Sequence, residues 1–114
     1  MRIKKYEDFS FKYQKRRIKI RAKTCKGFWR KFTGKMFTSD EKPIIFEFRR
    51  KILVKIHMIF VFMPLLVVWF DEKKRVTKIR IMKPFTSFDE SEGKYVLEIP
   101  LKNKLIRDFE HMEN

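Results

Sequence analysis

The stretch ILVKIHMIFVFMPLLVVWF, Ile52 to Phe70, sets the alternatives for the whole chain, with one Lys, one His and one Pro among nineteen otherwise apolar residues. Read as a membrane span, it makes this an anchored protein; read otherwise, it must supply the core of a small domain. A spanning helix needs about 20 predominantly apolar residues. The longest segment here free of Lys, Arg, Asp and Glu is Ile56 to Phe70, fifteen residues. Within it Pro64 lacks the amide that a helix interior uses. Ile56, Ile59, Val61, Val67, Val68 and Trp69 are of the β-branched and aromatic types that fit a pleated strand. The stretch therefore predicts two buried strands meeting at a bend near Pro64, with no membrane span.

The flanking segments extend the strand pattern. DEKK after Phe70 is a charged turn, and RVTKIRIM alternates Ile79 and Ile81 with Lys78 and Arg80, so Leu65 through Met82 predicts a β-hairpin. KPFTSFDESEGK, Lys83 to Lys94, reads as a polar acidic loop around Asp89, Glu90 and Glu92, and YVLEIP, Tyr95 to Pro100, as a further strand ended by its proline. Upstream, TSDEKP is a turn and IIFEF, Ile44 to Phe48, a short strand that the triplet Arg49, Arg50, Lys51 interrupts. RIKIR, Arg17 to Arg21, alternates Ile18 and Ile20 with cations in the period-two pattern of a half-buried strand.

Two helices are expected. In TCKGFWRKFTG, Thr24 caps a short helix with Cys25, Phe28, Trp29 and Phe32 on one face and Gly34 at its end. In the tail, Leu101, Leu105, Phe109 and Met112 recur at helical spacing. The sum is an α+β, β-rich domain of about six short strands in a coiled sheet or partial barrel, with one or two short helices. Residues 1–16 are expected as a basic N-terminal extension, 17–100 as a single compact domain and 101–114 as a tail.

Charge is the strongest functional signal. The chain of 114 residues carries a net charge of +15, and residues 1–42 hold +11 of it. Such asymmetry implies a region that attracts anions: nucleic acid, anionic lipid or an acidic protein. The candidate polyanion-binding residues are Lys15, Arg16, Arg17, Lys19, Arg21, Lys23, Lys26, Arg30 and Lys31, with Tyr13, Phe28 and Trp29 interleaved. Clustered cations serve phosphates, and aromatic rings add stacking for single strands. The competing reading makes these cations a solvated surface and turns Phe28 and Trp29 toward the core. The six Met residues read as core filler.

The single cysteine, Cys25, excludes an intrachain disulfide and fits a reducing, cytoplasmic setting. MRIKKYEDFSFKYQKRR has no apolar core of a secretory signal. No P-loop, GxGxxG, GxSxG or HExxH pattern occurs, and His57 and His111 are without the ligand spacing of a metal site, so no cofactor and no metal is expected.

Several motifs resemble one known family. FWRKFTGKMF, Phe28 to Phe37, is similar to a Gly-Leu-Met-Phe-like signature, with Gly34, Met36 and Phe37 in matching places and Lys35 in place of the apolar residue. IHMIFVFMPLLVVWFDEKKRVTKI, Ile56 to Ile79, resembles a segment of Met, Pro-Leu-Asp and Phe-Leu-Asp followed by a charged turn and a Val-containing strand. Pro84 and YVLEIP, with Glu98, resemble a later Pro and a Val-Leu-Glu-Leu motif. These point to the family catalogued as domain of unknown function 192, with the compact archaeal members nearest in look. The resemblance covers about Arg17 to Pro100 and implies a β-rich fold of coiled sheets with no established reaction. Bacterial relatives often carry an export signal or a lipoprotein anchor, which is not seen here.

Two departures stand out. Leu66 occupies the place of the family's acidic residue after Pro-Leu, and the tail LIRDFEHMEN replaces a Gly-Asp-containing segment. Asp71 and Glu98 match family positions. With His57 they make the alternative candidate, a small-ligand or enzymatic pocket in the coiled sheet, since two carboxylates and an imidazole can perform acid–base work if brought together.

Overall fold

The computed structural model describes residues 2–26, 42–58 and 63–102. Six strands follow in chain order: β1 (Arg2–Tyr13), β2 (Arg16–Lys26), β3 (Ile44–His57), β4 (Leu65–Phe70), β5 (Val76–Met82) and β6 (Phe88–Pro100). They form one sheet in the order β1-β2-β3-β6-β4-β5, in which β2 and β3 are parallel and every other neighbouring pair is antiparallel. The sheet curls into a half-barrel that brings the edge strands β1 and β5 into contact.

Alternation of side chains across each strand sorts the apolar residues into two clusters. Inside the curl, Phe9 and Phe11 of β1 and Ile18, Ile20 and Ala22 of β2 meet Leu66, Val68 and Phe70 of β4 and Leu97 and Ile99 of β6. The Phe70 ring lies edge-on to Phe9 and Phe11, with centroids 5.0 and 4.8 Å away. On the opposite face Ile44, Phe46, Val54 and Ile56 of β3 pack with Leu65, Val67 and Trp69 of β4 and with Met58, Met82 and Val96. All of β4 is buried because each of its faces belongs to one cluster. That is why LLVVWF reads as an unbroken apolar run rather than an alternating one.

The second cluster is covered by a bend. From Glu47 to Ile52 β3 advances five residues while β6 advances two, from Tyr95 to Gly93. The three extra residues form a wide bulge, which lets Arg49, Arg50 and Lys51 face solvent while the strand continues. Beyond it, the outer halves of β3 and β6 stay paired to His57 and Phe88. The Trp69 Nε1–H donates to the Val54 carbonyl at 3.2 Å, fastening that outer half of β3 to β4. Gly93 sits at the bend, where an added Cβ would lie 3.1 Å from the Phe70 carbonyl oxygen and 3.3 Å from that of Tyr95.

The β-rich curled sheet, the hairpin of β4 and β5, and the strands at Arg17–Arg21, Ile44–Phe48 and Tyr95–Pro100 agree with the sequence. Four expectations are corrected. Arg2–Tyr13, within the stretch expected as an extension, is a paired strand, since Phe9 and Phe11 alternate inward on it. Thr24–Lys26 continue β2 rather than opening a helix, because they pair with Ile45–Glu47 of β3. The triplet at 49–51 bulges rather than interrupts β3. Phe88–Lys94 belong to β6 and not to a loop.

Among the described residues there is no helix, and the rest of the expected helix at 24–34 and nearly all of the tail helix lie outside them. No helix of the described residues is long and apolar enough to cross a membrane.

Candidate polyanion-binding face

The hairpin of β1 and β2 places the N-terminal cations. Register pairs Tyr6 with Lys23, Asp8 with Arg21, Ser10 with Lys19 and Lys12 with Arg17. Phe9, Phe11, Ile18, Ile20 and Ala22 occupy the alternate positions and turn inward, so those four pairs lie on the outer face. Of these outward positions only Asp8 is acidic, and its carboxylate lies 3.8 Å from Lys19 Nζ and 3.5 Å from an Arg21 nitrogen. Lys19 and Arg21 keep about two thirds of their side-chain surface in solvent, at 66% and 67%. One shared acid at such exposure leaves the row positive. Arg17 donates to the Ser10 hydroxyl at 3.2 Å, a neutral partner that orients the guanidinium without cancelling its charge. Lys42 Nζ stands 5.2 Å from the centre of the Tyr6 ring, adding a cation and an aromatic ring at the far end of the row.

The near end is built by two turns. Gln14 and Lys15 join β1 to β2 with φ of 52° and 66°, the double left-handed conformation of a type I′ hairpin turn. The β4–β5 turn, Asp71 to Arg75, is closed by the Asp71 amide on the Arg75 carbonyl and the Lys74 amide on the Asp71 carbonyl, both at 3.0 Å. The Asp71 Oδ1 accepts from the Lys73 and Arg75 amides at 2.9 Å each, and Oδ2 accepts from Arg75 Nε at 2.8 Å. Burial opposes ionisation of Asp71, but the donors from Arg75 and Lys73, together with the Arg75 charge, outweigh it and lower the carboxyl pKa. Asp71 thus serves as the clasp of the turn.

Between β1, the start of β2 and this turn lies a cleft of about 480 Å³ lined by Ser10, Phe11, Lys12, Arg17, Lys73, Lys74 and Arg75. Five of its seven lining residues are cations drawn from two distant parts of the chain. Lys74 has φ of 61°, and its ammonium stands 5.0 Å from the Phe9 ring centre and 5.6 Å from that of Tyr95.

The other candidates fall elsewhere. Lys15 and Arg16 are exposed at the β1–β2 turn, Lys26 ends β2, and Arg30 and Lys31 lie outside the described residues. Tyr13 packs against the inner cluster. Glu98 is wholly buried in β6, paired with Ile44 and Val67. His57 ends β3 opposite Phe88, ten positions from Glu98 along the same strand. Asp71 lies in the turn beyond Phe70, which pairs with Tyr95. These registers set the three on separate parts of the sheet. Leu66 is buried in the inner cluster, opposite Ile81 and Ile99. Among the described residues no group of His, Cys, Asp and Glu is arranged to hold a metal ion.

The cations missed by reading the sequence are Lys12, Lys73, Lys74 and Arg75. DEKK reads as a charged turn with Arg75 opening the next strand, but the proximity of these residues to β1 follows from the curl of the sheet and not from any local pattern.

A half-barrel of six strands, apolar on both faces of β4 and cationic along its outer hairpin, is the class of molecule these features define. The chain belongs to the family DUF192, described as Uncharacterized ACR, which it matches over residues 11–103. Two crystal structures share the fold. One, a protein of unknown function from Novosphingobium aromaticivorans DSM 12444, is 17% identical, with a TM-score of 0.73 over 94% of this chain and 80% of that one. The other, described as a candidate transcription regulator from Sinorhizobium meliloti 1021, is 14% identical, with a TM-score of 0.70 over 93% of this chain and 88% of that one. The comparison with curated proteins finds no match.

Proposed function

We propose that the protein is a polyanion-binding module, with single-stranded RNA or DNA as the partner and the outer face of β1 and β2 as the contact surface. The observation that carries this reading is the row Arg17, Lys19, Arg21, Lys23 at every second position of one strand, with Asp8 of the neighbouring strand shared between Lys19 and Arg21. Residues two apart on a strand are separated by about 6.6 Å. This is comparable with the phosphate spacing of an extended single strand, so successive cations meet successive phosphates. Tyr6 offers a ring for stacking at the far end of the row. Recognition through backbone phosphates is insensitive to sequence and sensitive to salt. The description of the Sinorhizobium protein as a candidate regulator of transcription is in keeping with a nucleic-acid partner. A cytoplasmic setting and a compact archaeal-type character complete the reading, supported by the single cysteine and the motif likeness.

Titration of a fluorescent oligonucleotide at two salt concentrations tests it. Association at low salt should weaken with a log–log slope of about −0.7 for each phosphate neutralised. Replacing Arg17, Lys19 and Arg21 by Gln should flatten that slope. Absence of association even at low salt removes nucleic acid as the partner and leaves an acidic protein as the polyanion to test.

A further inference from the structure

The row of cations along β2 does not end in open solvent. Its last member, Arg17, is also a wall of the cleft that Lys12, Lys73, Lys74 and Arg75 complete. A strand of phosphates following the row toward the β1–β2 turn therefore arrives at a concave site where cations from two parts of the chain converge.

Three features mark this cleft as a built site rather than a chance gathering of lysines. First, Arg17 and Lys74 are oriented by neutral groups, and only Arg75 shares its charge with a carboxylate, Asp71. Arg17 is held by the Ser10 hydroxyl and Lys74 by the rings of Phe9 and Tyr95. Arg75 gives its Nε to Asp71 and keeps 71% of its side-chain surface exposed. Second, no acid lines the cleft, and Asp71 beside it is committed to the turn, its Oδ1 accepting from the Lys73 and Arg75 amides and its Oδ2 from Arg75 Nε. Third, both turns beside the cleft place a lysine in the left-handed region, Lys15 with φ of 66° and Lys74 with φ of 61°. Glycine or asparagine suits such positions better, so lysine there favours charge over backbone comfort.

We propose that this cleft is a phosphate-monoester site that receives the terminal phosphate of a nucleic-acid strand lying along β2. A monoester carries close to two negative charges at neutral pH and offers three acceptor oxygens. A backbone diester carries one charge and offers two free oxygens. A cluster of five cations, one of them shared with Asp71, discriminates between them by charge, and the position of the cleft at the end of the row matches the position of an end group. The placement of the strand rests on the polyanion reading above; the phosphate site does not.

The experiment has two arms. In the first, the full chain labelled with ¹⁵N is titrated with adenosine 5′-monophosphate and, separately, with adenosine. Shifts of the Ser10, Lys12, Arg17, Lys73 and Arg75 amides with the monophosphate alone establish the site. Shifts with neither compound, or equal shifts with both, overturn it whether or not the protein binds oligonucleotides. In the second arm, affinities are compared for one single-stranded 12-mer carrying a 5′-phosphate, a 3′-phosphate or hydroxyl ends. One phosphorylated form should bind about tenfold more tightly than the hydroxyl form, the gain of one added charge-assisted contact.

The variant Lys12→Gln, Arg17→Gln, Lys73→Gln should abolish that preference, whereas the charge-matched variant Arg49→Gln, Arg50→Gln, Lys51→Gln on the β3 bulge should preserve it. Circular dichroism of each variant checks that it is folded. Equal affinity for all three ends overturns the end-group inference while leaving the polyanion reading intact.

Discussion

At the scale of the residue, charge and backbone conformation are opposed in the two turns near the basic cleft. Lys15 and Lys74 adopt positive φ, which costs an L-residue with a Cβ about 1–2 kcal/mol. Lys15→Gly is therefore expected to raise stability by about 0.5–1 kcal/mol, read as a higher urea midpoint with an unchanged slope. The same substitution should weaken oligonucleotide binding at low salt, since it removes one cation near the cleft. A rise in stability without loss of binding would show that Lys15 takes no part in the contact. Leu66 illustrates the reverse case, a residue whose meaning lies in burial. The motif resemblance leads one to expect an acid at this place, yet here Leu66 fills the inner cluster against Ile81 and Ile99. An unpartnered carboxylate in that apolar setting would meet a desolvation penalty of several kcal/mol.

At the scale of the element, the bend shared by β3 and β6 explains why local pattern and observed strand differ. An RRK triplet resembles a break because three consecutive cations cannot all face one apolar layer. The bulge removes the conflict by turning them outward without ending the strand. DESEG looks like a loop because it is polar. It is a strand because it lies opposite Ile52 to Ile56 of β3, and Asp89 meets Lys78 at 2.6 Å and Arg80 at 3.1 Å. Gly93 at the bend tests this account. A methyl group there would press on the Phe70 and Tyr95 carbonyls, which the ladder between β4 and β6 holds in place. Gly93→Ala should destabilise by about 1–3 kcal/mol, as overpacking does, measured by denaturant unfolding. Unchanged stability would mean that the bend relaxes freely.

At the scale of the whole molecule, two clasped carboxylates set the acid limit of stability. Asp71 closes the β4–β5 turn, and Asp89 ties β6 to β5. Burial opposes ionisation of each, but hydrogen bonds and neighbouring cations outweigh it and lower both pKa values. A lowered folded-state pKa contributes stability that is complete above the unfolded value, about 3.9 for Asp. That stability is lost as pH falls through the lower folded value. Urea midpoints should therefore hold near neutral pH and decline below about pH 5. The double variant Asp71→Asn, Asp89→Asn should start lower and decline less; an identical decline would show that other groups control acid unfolding.

The sequence by itself determined which segments are strands at the centre of the fold, since LLVVWF, IIFEF and YVLEIP carry enough apolar, β-branched and aromatic side chains to require burial wherever they lie. It also determined that the N-terminal third is cationic, and the motifs it carries place it in its family. Tertiary structure decided the rest. Phe9 and Phe11 look like scattered aromatics in a charged extension until β1 pairs with β2 and turns them inward. Lys73, Lys74 and Arg75 read as an ordinary turn until the curl of the sheet sets them beside Lys12 and Arg17. Hydrophobic periodicity is a property of neighbours along the chain and is therefore written in it. The meeting of two turns some sixty residues apart depends on the summed twist and bend of six strands, which no single segment encodes.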